Sequence, residues 1–143
     1  MKVSQLSVFL ENKSGRLADV TRALADAKVN IRALSIADTI DYGILRLIVD
    51  DPTAAKAALS DAEFTLALTE VLAIEIPDVP GGLAGMIDIF AESGINIEYM
   101  YAFVGTTGKN AIVVFRVEKV DDAIAALQRK GVHILSGDEL HSL

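Results

Sequence analysis

Leu6, Val8 and Leu10 alternate with Ser7 and Glu11, with Phe9 the one apolar exception, which is the period of a half-buried strand. Glu11 to Ser14 then reads as a loop. Leu17, Val20, Leu24 and Ala27 follow at helical spacing and predict an amphipathic helix. Ile31 to Ala37 predicts a second strand, Asp38 to Gly43 a hairpin loop, and Ile44 to Val49 a third strand. Pro52 suits a first helical turn, so a short helix is expected over Ala54 to Asp61. Phe64 to Thr69 closes the series as a fourth strand.

The same order then recurs. Strands are expected near Val71–Ile76, Ile97–Val104, Ala111–Val117 and Val132–Leu135, and helices near Gly82–Ser93 and Val120–Lys130. An offset of 66 aligns Gly15, Leu17, Ala18, Ala25, Asn30 and Ile31 with Gly81, Leu83, Ala84, Ala91, Asn96 and Ile97. Downstream the offset becomes 68, and Ala55–Leu59 matches Ala123–Leu127. The extra two residues fall in a turn-rich stretch, where length changes are tolerated. The expected fold is therefore α+β, two tandem ferredoxin-like βαββαβ units over residues 1–70 and 71–143, each an antiparallel sheet with helices on one face. The third strands place apolar residues on both faces: Ile44 and Ile48 oppose Leu45, Leu47 and Val49. A second cover is expected, and a second copy of the chain is its most economical source.

Composition narrows the chemistry. The chain has 143 residues, 52% of them hydrophobic, enough to bury a core in each half. It has no cysteine, which excludes disulfides, thiolate metal sites and a cysteine nucleophile. Its two histidines, His133 and His141, sit near one end and offer poor material for a Ser-His-acid triad. No catalytic residues, metal ligands or cofactors are assigned. Residues 1–70 carry 8 basic and 10 acidic side chains, and residues 71–143 carry 5 and 10. Neither half has the basic stripe that nucleic acid or an anionic membrane selects. No apolar run is long enough to span a bilayer, and Met1-Lys2 leads straight into a strand, so a cytoplasmic location is expected.

The loop before each first helix carries the candidate chemistry. Gly15, and Gly81 with Gly82, let backbone come close to a ligand. The helix behind offers unpaired N–H groups and a positive dipole end, suited to a carboxylate. Asn12 and Asp78 stand just before and offer oxygens to an ammonium group. Asn30 and Asn96 open the second strands and could reach a ligand on a neighbouring unit. Plainer roles exist for each. Glycine there is ordinary turn chemistry, Asn12, Ser14 and Asp78 could cap the helix, and Asn30 and Asn96 could take a left-handed conformation after it. Tyr99, Tyr101 and Phe103 suit sheet packing more than an RNA platform, since basic neighbours are missing. Asp38 and Asp41 suit a solvated turn, Arg46 and Arg116 suit ion pairs, and His133 suits packing or surface.

The stretches ENKSGRLADVTRALADAKVNI and PDVPGGLAGMIDIFAESGINI resemble the ACT domain family, whose pattern is roughly Asp/Asn-x-Pro-Gly-x-Leu, a helix, then Asn-Ile. The resemblance covers nearly the whole chain as two copies. It implies regulatory binding of amino acids rather than catalysis, at interfaces between units. The implied site positions are Asn12, Ser14, Gly15, Arg16, Leu17, Asn30 and Ile31 in the first copy. In the second they are Asp78, Gly81, Gly82, Leu83, Asn96 and Ile97. Ser14 departs from the usual proline, which Pro80 keeps, and Asp78 departs from asparagine. The expected partners are a small-molecule ligand, further copies of the chain with a dimer favoured, and in an alternative reading an amino-acid metabolic enzyme.

Overall fold

The computed structural model describes residues 1–11, 13–38, 42–103 and 110–143. The elements run β1 (Val3–Glu11), α1 (Arg16–Asp26), β2 (Ile31–Asp38), β3 (Tyr42–Val49), α2 (Pro52–Asp61), β4 (Leu66–Pro77), α3 (Gly82–Glu92), β5 (Ile97–Ala102), β6 (Asn110–Val117), α4 (Val120–Arg129), β7 (Ile134–Leu135) and α5 (Gly137–His141). The βαββαβ order therefore occurs twice. By contacts the chain divides into a first unit, Ser4–Thr69, and a second, Met1–Val3 with Glu70–Leu143.

In the first unit the strand order is β2-β3-β1-β4, and in the second β5-β6-β4-β7. Both put the outer strand of the β-hairpin at an edge, as the ferredoxin-like arrangement requires. The β1–β3 register pairs Leu6 with Leu47 and Val8 with Leu45. Paired residues share a face, so these side chains meet α1 and α2 in one core with Val20, Leu24, Leu59 and Phe64. In the second unit Leu72, Ile74 and Phe115 do the same against Met86, Phe90 and Leu127. Phe90 and Phe115 pack tilted, with ring centroids 5.2 Å apart. On the opposite sheet face Ala33, Ile48, Val71, Ala73 and Val114 are also buried.

All four long helices end the same way. The residue after the cap is left-handed: Lys28 (φ 60), Glu63 (φ 66), Gly94 (φ 67) and Gly131 (φ 70). The next amide then donates to a carbonyl five residues back, as Val29 does to Leu24 at 2.9 Å and Ile95 to Phe90 at 2.9 Å.

Several expectations are corrected. The strands expected at Phe64–Thr69 and Val71–Ile76 are one strand, Leu66–Pro77, because no turn residue interrupts them. Asp38 belongs to β2, and Tyr42 and Gly43 to β3, so the hairpin connection is shorter than expected; Thr39, Ile40 and Asp41 lie outside the described residues, as does Val104. The last strand is only Ile134–Leu135, and α5 follows, closed by a capping box between Ser136 and Glu139. Among the described residues no helix is long and apolar enough to cross a membrane.

Candidate functional site

The two glycine loops are the same turn. Gly15 has φ 90, ψ −10 and Gly81 has φ 85, ψ −7. The Arg16 amide donates to the Lys13 carbonyl at 3.4 Å, and the Gly82 amide to the Val79 carbonyl at 3.0 Å. These are the hydrogen bond and third-residue angles of a type II turn, whose second position favours proline and whose third demands glycine. Pro80-Gly81 fits both preferences, and Ser14-Gly15 fits the second. The space where a Cβ on Gly15 or Gly81 would stand is open.

Each turn leads into a helix with no side-chain cap. Ser14 and Asp78 therefore do not cap α1 and α3; the Arg16 and Gly82 amides close the turns, and among the described residues the next two amides of each helix keep their donor capacity. Asn12 lies outside the described residues. Leu17 and Leu83, one residue into each helix, are both 43% exposed, although helical spacing places Leu17 with the core residues Val20 and Leu24. Exposed leucines beside uncapped amides recur in both copies.

Asn30 and Asn96 are not left-handed; that role falls to Lys28 and Gly94. Their backbones tie the second strand to the end of the third. The Asp50 amide donates to the Asn30 carbonyl at 3.1 Å, and the Glu118 amide to that of Asn96 at 3.2 Å. The Asn30 amide also donates to Asp50 Oδ1 at 2.9 Å. Asn30 and Ile31 follow the C-terminal end of α1, and Gly15 precedes its N-terminal end, about 16 Å away along an 11-residue helix. The same separation holds for Gly81 and Asn96 with Ile97. One unit alone does not bring its loop and its asparagine together.

The loops differ in what surrounds them. Beside the first lies a cavity of about 310 Å³. Arg16 lines it, with Phe9, Leu10 and Glu11 from the end of β1 and Tyr42 from the start of β3. Glu63, Phe64 and Thr65, between α2 and β4, complete it. The Arg16 guanidinium carbon sits 4.3 Å from the Phe64 ring centroid, a cation–π stack. Its Nη1 is 3.4 Å from Asp19 Oδ2, and its Nε is buried without a hydrogen-bond partner. Lys13 Nζ binds Glu11 Oε2 at 2.7 Å and holds that carboxyl below its ordinary value of 4.5, with Arg16 adding a smaller pull in the same direction. At the second loop Arg16 is replaced by Gly82. A Cβ there would stand 2.1 Å from the Pro77 carbonyl oxygen, so this loop is packed down on the end of its strand.

Of the assigned residues, the structure groups Ser14, Gly15, Arg16 and Leu17, and separately Gly81, Gly82 and Leu83. The residue patterns did not identify Tyr42, Glu63 or Phe64. Arg16 held the one available signal, a long cation where the repeat has glycine. Arg116, expected to pair, does so with Glu98 at 3.4 Å and the Glu70 carbonyl at 2.8 Å. His133 pairs with Glu139 at 3.1 Å on the surface.

Two βαββαβ units, each starting its first helix on a glycine turn without a side-chain cap among the described residues, define a tandem ferredoxin-like module. The chain belongs to the ACT domain pair family, whose model matches residues 1–143. It is similar to the crystal structure of a protein from Bacteroides thetaiotaomicron at 45% identity and TM-score 0.94, covering 100% of this chain and 98% of that one. The regulatory subunit of aspartate kinase from Thermus thermophilus, in ligand-free form, shares the fold at 20% identity and TM-score 0.62, over 88% and 90% of the two chains. The aspartokinase alpha and beta subunit structure matches at 18% and TM-score 0.58, also over 88% and 90%. No curated protein matches the chain by sequence.

Proposed function

We propose that this protein is a non-catalytic regulator that binds a free amino acid at its glycine loops, at interfaces between ACT units. The recurrence of an uncapped helix start beside an exposed leucine carries the reading: first-turn amides complement a carboxylate, and Leu17 or Leu83 complements an apolar surface. Asn30 and Asn96 complete these half-sites from an adjoining unit in a cytoplasmic homo-oligomer, a dimer favoured. Binding acts by population shift, stabilising one arrangement of units over another. Residues 1–70 and 71–143 are the two ligand-binding units.

Calorimetry and thermal shift against the twenty amino acids test this. At least one is expected to bind, and Asn30→Ala or Asn96→Ala to weaken it. Silence at millimolar concentration for all twenty would sink the proposal.

A second reading, action as a regulatory subunit on an amino-acid metabolic enzyme, draws on the edge strand β2. Leu34 and Ile36 there are exposed, at 43% and 52%. Co-purification of a defined enzyme on tagged protein from native lysate supports it; a clean pulldown counts against it.

A further inference from the structure

The repeat makes the two glycine loops twins, yet their surroundings are opposite in kind. The second is packed down on Pro77, with no room for even a Cβ at residue 82. The first opens beside a 310 Å³ cavity and extends a guanidinium at the same position. We propose that this cavity is a binding site in its own right, built within the first unit, for a free α-amino acid with an apolar side chain. The inference rests on the amino-acid-binding reading above, but it needs neither Asn30 nor an adjoining unit.

The chemistry follows from the lining. Arg16 stands over the Phe64 ring, which restricts where its fork can go, and a pre-organised fork favours bidentate capture of a carboxylate. Its existing acceptor, Asp19, is distant at 3.4 Å from Nη1, so the fork keeps donor capacity for a carboxylate. Glu63 lines the same cavity and offers the counter-charge for an ammonium group, whereas Glu11 is already engaged by Lys13. Phe9 and Tyr42, 44% and 49% exposed, provide an apolar wall. An anion alone would meet two carboxylates, and a cation alone would meet Arg16. A zwitterion with an apolar side chain answers all three features. The volume lies at the small end of ligand pockets, matching a molecule of that size.

The test is calorimetry on the full chain with L-leucine as probe, beside 4-methylpentanoate, which lacks its amine, and 3-methylbutylamine, which lacks its carboxylate. L-leucine is expected to bind, and each analogue at least tenfold more weakly. Arg16→Met is expected to weaken L-leucine at least tenfold. Should Arg16→Met fail to fold, Glu63→Gln serves in its place: L-leucine is expected to weaken and 4-methylpentanoate to bind as well as before or better. Unchanged L-leucine affinity in the folded Arg16→Met protein, or in Glu63→Gln where that substitutes, overturns the cavity site. If Asn30→Ala then weakens binding, the interface reading survives alone. Binding of polar amino acids but not L-leucine overturns the assigned ligand class. No binding by any of the twenty overturns both readings.

Discussion

Gly82 and Gly85 lie three residues apart in α3, and alanine at each is expected to act with opposite sign. At Gly82 an added Cβ would stand 2.1 Å from the Pro77 oxygen and 3.2 Å from its carbon. Carbon and oxygen without a conventional hydrogen bond approach to about 3.3 Å at closest, so loop or strand end must move by about 1 Å. The obstacle is backbone, so no rotamer change relieves it. Overpacking of this kind costs about 1–3 kcal/mol, and the better helix propensity of alanine returns at most about 1. A net loss of about 1–2 kcal/mol is expected. At Gly85 nothing lies within 4 Å of the added methyl group, so only the propensity gain of about 0.5–1 kcal/mol operates. At roughly 2–4 °C per kcal/mol for a chain of this size, Gly82→Ala melts about 2–8 °C lower than wild type and Gly85→Ala about 1–4 °C higher. Urea unfolding followed by circular dichroism gives the free energies directly. Gly82→Ala within 0.5 kcal/mol of wild type (about the scatter of neutral surface substitutions), or Gly85→Ala below it, would refute the reasoning.

Three further outcomes are expected. Lys28 holds a left-handed conformation that its counterpart Gly94 holds without strain, so Lys28→Gly should stabilise by about 0.5–1 kcal/mol in urea; a loss would show that the Lys28 side chain contributes more than its backbone costs. Asp51 caps α2 by accepting from the Ala54 amide at 3.0 Å, so Asp51→Ala should cost about 1 kcal/mol, whereas its uncapped counterpart Lys119 should gain from Lys119→Asp. The Ser136 amide, donating to Glu139 at 2.6 Å, is the main reason that Glu139 titrates below its ordinary 4.5, with the Ser136 hydroxyl and His133 assisting. A depressed folded-state value means that this contribution is complete above 4.5 and lost as pH falls through the lower value. Side-chain NMR titration checks it, and a Glu139 midpoint at or above 4.5 contradicts it.

What was legible in the residues is what local chemistry decides. Gly15 and Gly81 announced a turn because its third position excludes other residues, and Leu45, Leu47 and Val49 announced a buried face because side chains alternate along a strand. The junction at residues 66–77 misled because two apolar strands in succession look the same whether or not a break lies between them; only a turn residue would have marked one. Leu17 misled because a residue in the first turn of a helix can keep helical phase and still stay exposed. The cavity was invisible for a different reason. Arg16, Tyr42 and Glu63 come from the start of α1, the start of β3 and the α2–β4 connection, distant in sequence, and their convergence is a product of the β2-β3-β1-β4 order rather than of any local pattern.

The divergence of the twins has a direction. Where the second unit has Gly82, Gly94 and Gly131, the first has Arg16, Lys28 and Glu63; where the second has Pro80, the first has Ser14. At Gly94 and Gly131 the second unit places the residue that a positive φ favours, and at Pro80 the residue that a type II turn favours. The first unit tolerates two left-handed charged residues and a looser turn, each at some cost in stability. Lys28 lies at the far end of α1 from the cavity and gains nothing from it, so strain by itself does not mark function here. Arg16 and Glu63 differ from Lys28 in one respect: both line the same cavity and carry opposite charge. On the proposal made above, their shared lining of that space with opposite charge, rather than the strain at either residue, is what would separate a ligand site from a unit that is merely less well idealised.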